Sequence, residues 1–100
     1  MSNVIELVSF KLKEVVSEEQ FFAASDKFNT DFLSIQNGYI ERRLLKNEDT
    51  WTDIVLWETM DDAMNAIKAA EKANPEDMEY LYYIEESSCD LKHLDVAKSY

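Results

Sequence analysis

Glycine, proline, cysteine and histidine each occur once in this chain of 100 residues, as Gly38, Pro75, Cys89 and His93. Each scarcity excludes something. A lone cysteine closes no intrachain disulfide, and with one histidine there is no soft-ligand set at metal-binding spacing, so neither metal nor cofactor is expected. One glycine and one proline leave little punctuation, which implies long elements, short connections and no linker. Bases are also few: ten Lys and Arg stand against 21 Asp and Glu, a net charge of −11. A field of that sign repels phosphate backbones and anionic lipid, and no run of Lys or Arg relieves it locally. Nucleic acid and membrane surfaces are therefore excluded as partners. The start, Met1-Ser2-Asn3-Val4-Ile5-Glu6, has neither a basic segment nor a long apolar run. It reads as neither signal peptide nor membrane anchor, and a cytoplasmic location is the expectation.

Apolar material, by contrast, is ample: 46% of residues are hydrophobic and 12% aromatic. That supports one packed domain over residues 1–100; two halves would each be too small to sustain a core.

Val4 to Leu12 reads as a strand whose two faces are both mostly apolar. Ser17-Glu18-Glu19-Gln20 forms a capping box ahead of a helix with Phe21, Ala24, Phe28, Phe32 and Ile35 on one stripe, closed by Asn37-Gly38. Tyr39 to Lys46 and Trp51 to Glu58 are two further strands, joined by the turn Asn47-Glu48-Asp49-Thr50. A second cap at Thr59 to Asp62 opens a helix with Met60, Ala63, Met64, Ile67 and Ala70 as its apolar stripe. Pro75 suits the first position of a short helix that presents Met78, Leu81, Tyr82 and Glu85 on one side. Leu91 to Ala97 alternates as a fourth strand, with Cys89 in the loop before it.

The order βαββαβ specifies an α+β, ferredoxin-like antiparallel sheet with the first strand beside the third and the helices on one face. Both faces of that sheet are apolar. Ile5, Leu7, Leu44, Ile54, Leu56, Leu94 and Val96 make one set; Val8, Phe10, Tyr39, Leu45, Val55 and Trp57 make the other. Helices cover only one face, so a wet apolar surface remains unless a second copy covers it. The expectation is an isologous homodimer.

In element order, in the junction Ile54-Val55-Leu56-Trp57-Glu58-Thr59 followed by Ala63, and in the short extra helix before the last strand, the chain resembles the dimeric α+β barrel superfamily. That group includes antibiotic-biosynthesis monooxygenase-like and haem-degrading proteins. The resemblance spans nearly the whole chain. It implies two sheets closing into a barrel across a dimer, with small ligands between each sheet and its own helices. Trp57 matches the tryptophan that often ends the third strand there. The histidine that haem-degrading members carry near the second helix is missing between Met60 and Tyr83. No catalytic role carries over residue by residue.

Residues two apart share a strand face. Glu6, Val8 and Phe10 therefore line up with Tyr39, Glu41 and Arg43 and with Trp51, Asp53, Val55 and Trp57. Met64 and Tyr82 join them from the helices. Aromatic walls with a few charged groups suit a small, mostly apolar, oxygenated molecule of fatty-acyl, polyketide or aromatic type. Glu6, central in its strand, is a candidate proton acceptor; its alternative is an ion pair with Arg43 or a place at a wet sheet end. His93 is a candidate general base or ligand anchor, against a plain surface or interface role. Arg42 and Arg43 point to opposite faces, and each either holds a ligand carboxylate or pairs with one of the many acids. Three readings follow. One is a ligand-binding dimer, one a cofactor-independent monooxygenase on the same pocket, and one a structural or regulatory dimer with no ligand.

Overall fold

The computed structural model describes Asn3 to Tyr100. Four strands and three helices alternate: β1 (Val4–Leu12), α1 (Glu18–Asp31), β2 (Tyr39–Asn47), β3 (Thr50–Trp57), α2 (Met60–Glu71), α3 (Glu79–Tyr82) and β4 (Ile84–Asp95). Single 3-10 turns lie at Leu33–Ile35 and Pro75–Met78. The sheet runs β2-β3-β1-β4 and every neighbouring pair is antiparallel, the ferredoxin-like α+β arrangement.

Local chemistry sets the helix starts. Ser17 Oγ accepts the Gln20 amide at 3.1 Å while Gln20 Oε1 accepts the Ser17 amide at 3.1 Å, so the capping box forms in both directions. Thr59 Oγ1 accepts the Asp62 amide at the head of α2. Phe21, Ala24 and Phe28 point from α1 into the core. The stripe does not continue to Ile35, which is 71% exposed. Helix α1 ends at Asp31, and the following turn has three residues per turn rather than 3.6. That change of period rotates Leu33 inward, where it is buried, in place of Ile35.

Gly38, just before β2, has φ of +83°, and its carbonyl accepts the Glu58 amide at 2.8 Å. A Cβ there would lie 2.2 Å from Asp62 Oδ2. Gly38→Ala is expected to lose about 1–2 kcal/mol from the left-handed backbone alone. A melting temperature lowered by several degrees would register it; an unchanged one would show that this segment relaxes.

Two irregularities redirect side chains. In β2 the register shifts between Tyr39 and Glu41: Tyr39 opposes Trp57, yet Glu41 opposes Leu56 and Arg42 opposes Val55. One extra residue, Ile40, flips the remainder of the strand. Arg42 and Leu44 thus share the helix-covered face with Tyr39, whereas Glu41, Arg43 and Leu45 turn to the other. This corrects the strict alternation read from sequence. Strand β4 begins at Ile84, seven residues before the predicted Leu91, and its register against β1 shifts between Ser9 and Lys11. Ser88 Oγ accepts the Lys11 amide at 2.8 Å in the irregular stretch, so a side chain replaces a ladder partner. A polar segment that reads as loop is thereby held in the sheet, and Cys89 lies in β4 rather than before it.

The helix-covered side is an aromatic core. Phe21 packs on Trp51 at 4.9 Å and on Tyr80 at 5.2 Å, and Phe28 stacks on Tyr80 at 4.9 Å. From α2, Ala63 and Ala66 are buried and Met64 is exposed, so the inward stripe is rotated toward the alanines. Small side chains let the helix backbone approach the sheet. The opposite sheet face carries Ile5, Leu7, Ile54, Leu56, Leu45 and Leu94, the last two 46% exposed in the protomer. Among the described residues no helix is long and apolar enough to cross a membrane.

Candidate functional site

Between the sheet and the helices lies a cavity of about 230 Å³. Its floor is formed by Glu6 and Val8 of β1 and by Asp53, Val55 and Trp57 of β3; α1 and α2 roof it with Phe28, Ile67 and Ala70. Leu81 and Leu91, both partly exposed, stand at its rim. The lining is largely apolar, and the groups that break it are few and placed in two clusters.

The first cluster is Glu6 and His93. They face each other across the β1–β4 ladder, and His93 Nε2 lies 2.9 Å from Glu6 Oε1. Both side chains are mostly buried, at 14% and 10% exposure. Burial raises the Glu6 pKa above its ordinary 4.5; the His93 bond and charge oppose this, and the nearby Asp53 carboxylate adds to it. The anticipated ion pair between Glu6 and Arg43 does not form. Arg43 is on the other sheet face, its guanidinium 4.0 Å from Glu41 and widely exposed.

The second cluster is Asp53, Arg42 and Tyr80. Arg42 grips Asp53 with Nε to Oδ1 and Nη2 to Oδ2, both at 2.9 Å. Its Nη1 donates to the Ser25 carbonyl at 3.2 Å. Tyr80 Oη donates to Asp53 Oδ2 at 2.6 Å. The guanidinium also lies close to the stacked Phe28 and Tyr80 rings, 5.5 and 5.0 Å from their centroids. Burial works against the guanidinium charge, but the bonds and attraction from Asp53 outweigh it, and the Arg42 pKa stands above its ordinary value. Burial, followed by the Asp53 charge and hydrogen bond, pushes the Tyr80 phenol up as well. This cluster is a closed network with its donors matched to acceptors.

At the end of β3, opposite Val4 and Tyr39, lies Trp57. It is fully buried, lines the cavity, and its Nε1–H has no hydrogen-bond partner among the described residues. A buried donor left unpaired costs stability.

Of the residues singled out from sequence, Glu6, Val8, Val55 and Trp57 line this cavity, and His93 supports it through Glu6. Phe10 shares the face but fills the adjacent core, 5.9 Å from Phe21. Tyr39 packs edge-on against Trp57 at 6.2 Å and belongs to a separate open groove between α1 and β2. Arg43, Met64 and Tyr82 point away from the cavity and are exposed. Leu81 stands where Tyr82 was expected, because the chain reaches α3 through a 3-10 turn that shifts the phase by one residue. The reading from sequence gave Asp53 no task and missed Tyr80 altogether. Asp53 did stand out as a carboxylate mid-strand between Trp51 and Val55. Tyr80 carried no such signal.

No protein-family model matches the chain, and no curated protein does either. Solved structures do. SnoaB from Streptomyces nogalater, described as a cofactor-independent oxygenase and solved as its N63A mutant, superposes with a TM-score of 0.78 at 14% identity, covering 99% of this chain and 97% of that one. A candidate antibiotic biosynthesis monooxygenase from Bordetella bronchiseptica gives 0.69 at 17% identity, over 94% and 96%. Another from Caulobacter crescentus gives 0.70 at 9% identity, over 97% and 92%. At such identities the likeness speaks to the fold alone: this chain shares the ferredoxin-like α+β fold of these structures over nearly its whole length.

Proposed function

We propose that the chain binds a small, mostly apolar, oxygenated molecule in the cavity between its sheet and helices. The observation that carries this reading is an apolar space left between sheet and helices with one mostly buried carboxylate, Glu6, held by His93 on its wall. A core built only for stability would fill the space and leave no carboxylate facing it. Native mass spectrometry of the purified protein, compared with denaturing conditions, tests it. A passenger released on denaturation is expected. Protein that carries none and takes up no aromatic ligand at millimolar concentration would leave the cavity as a packing defect.

The sheet face opposite the helices supports a homodimer. Ile5, Leu56 and Leu94 adjoin one another across three strands, as do Leu7 and Ile54, and together they form a continuous apolar surface. An isologous pairing of two such faces removes them from water. Leu56→Asp is expected to shift the protein from dimer to monomer in analytical ultracentrifugation. Wild-type protein that sediments as a monomer at high concentration would refute the pairing.

A second reading, cofactor-independent oxygenation, is favoured by the raised proton affinity of Glu6 inside the cavity. Glu6, oriented by His93, would accept the phenolic proton of a bound substrate. The electron-rich ring carbon then forms a bond to O₂, and loss of water from the hydroperoxide gives a quinone. Phenol and O₂ thereby balance against quinone and water.

A further inference from the structure

A second site lies apart from that cavity, in the open groove of about 570 Å³ between α1 and the edge strand β2. Two local features build it. On α1, Phe22, Asp26 and Asn29 recur at helical spacing and form a stripe beside the one that enters the core, with Ser25 at its inner border. On β2, the bulge at Ile40 turns Arg42 and Leu44 toward the helix. The polar groups on the groove floor are held by the fold yet not used up by it. Ser25 is 5% exposed, and its hydroxyl bonds to no other described residue and opens into the groove. The Arg42 side chain is 7% exposed and spends three of its five N–H groups: Nε and one Nη2 hydrogen on Asp53, and one Nη1 hydrogen on the Ser25 carbonyl. One N–H on each terminal nitrogen remains. Tyr39 Oη donates to Asn29 Oδ1 at 3.3 Å, which leaves the Asn29 amide nitrogen as a donor.

A hydroxyl set as deeply as that of Ser25 is normally bonded within the fold; here the opening to the groove is where a partner reaches it. The floor thus offers donors. The carboxylate that lines the groove is Asp26, exposed at its rim and in no ion pair among the described residues. A carboxylate ligand would satisfy the donors, but the Arg42 charge is already balanced by Asp53. Such an anion meets Asp26, and a chain of net charge −11, uncompensated. An amidinium meets Asp26 but brings only donors to a floor of donors. A planar amide matches both sides: its carbonyl oxygen accepts from Arg42 and Ser25, and its N–H donates to Asp26. Phe22, 46% exposed, and the half-buried Leu44 supply an apolar wall for a ring or chain attached to it.

We propose that this groove binds uncharged amides that carry an aromatic or aliphatic group, selecting them over carboxylates and amidinium ions of the same shape. Groove and cavity share no lining residue, so the loss of either site in experiment leaves the other standing.

The test is an NMR titration of the intact protein at neutral pH with benzamide, benzoate and benzamidinium, three probes of one shape and three charges. Benzamide is expected to bind about tenfold more tightly than either ion, the worth of one hydrogen bond to a charged group. It should shift the backbone amides of Ser25, Asn29 and Arg42. Asp26→Asn, a change at an exposed position, should raise benzoate affinity severalfold and narrow the gap. Ser25→Ala separates binding from packing, because it removes an unpaired buried hydroxyl from a helix. The melting temperature should hold or rise while benzamide affinity falls about fivefold. A Ser25→Ala protein that binds benzamide as wild type does overturns the floor contact. Benzoate that binds wild type as tightly as benzamide overturns the selection. Shifts confined to Val55 and Ala70 would place the amide in the cavity and overturn the groove assignment. An absence of any saturable shift at millimolar benzamide overturns it as well. The wild-type series decides the matter even if a variant fails to fold.

Discussion

Asp53→Ala is expected to lower the folding free energy by about 3–5 kcal/mol, the usual cost of breaking a buried ion pair from one side. Both partners of the Arg42–Asp53 pair are 7% exposed in their side chains. The substitution would leave a buried guanidinium without its counter-charge and the Tyr80 hydroxyl without its acceptor. Set against a domain stability of roughly 5–15 kcal/mol, that is a large share. The exposed Lys11–Asp49 pair supplies the contrast: its side chains are 54% and 75% exposed, so Asp49→Ala should change stability by less than about 1 kcal/mol. A further arm separates the value of the pair from the cost of breaking it. Because the network is a matched set, replacing it whole with Arg42→Met, Asp53→Leu and Tyr80→Phe should cost less than Asp53→Ala alone. Urea denaturation of the four proteins reads all of this. An Asp53→Ala variant within 1 kcal/mol of wild type would mean that water reaches the Arg42 guanidinium.

The placement of these networks explains what was legible in the sequence. Helix α1 was readable because Ser17, Gln20 and the phenylalanine spacing all act locally, within one or two turns. The sheet order was readable because element order and crossover handedness leave few alternatives. The Arg42–Asp53 pair was not, since it depends on a bulge at Ile40 that no residue type announces. Without the bulge, period-two alternation puts Arg43 on the covered face and Arg42 outside; a single extra residue reverses both. Tyr80 was lost for a similar reason: a 3-10 turn before α3 shifts the helical phase, so Tyr80 is buried and Leu81 stands at the rim where the pattern suggested Leu81 and Tyr82. Met64 falls on the apolar stripe by its spacing, yet α2 packs closely through Ala63 and Ala66 and leaves Met64 exposed. Glu6 and His93 were each legible as odd residues in apolar strands. Their meeting was not, because β4 starts seven residues early and its register is set by the Ser88 irregularity.

Glu6→Gln carries the largest expected functional effect. For the oxygenase reading, turnover of a bound naphthohydroquinone, followed by O₂ uptake, should fall about 10²–10⁴-fold, the usual contribution of a positioned proton acceptor. KM should move far less, because Gln keeps the shape and can still meet a hydroxyl. The wild-type rate should rise with pH through a limb above the ordinary carboxylate value of 4.5, since burial raises the Glu6 pKa and the acceptor must be ionised to act. Unchanged turnover in the variant would remove Glu6 from the chemistry. Stability gives a second readout that needs no substrate. In the folded protein Glu6 holds its proton more tightly than in the unfolded chain, so between the two pKa values the native state binds more protons and stability falls as pH rises. The favourable contribution is complete below about pH 4.5, the unfolded value. It is lost as the pH climbs through the raised folded value, where His93 and Asp53 oppose each other in setting the charge. Glu6→Gln abolishes that slope, so wild type should lose stability relative to the variant across this window. A difference that stays constant with pH would mean that Glu6 is as well solvated in the fold as in water. The cavity would then lack the dry wall on which both the binding and the oxygenase readings depend.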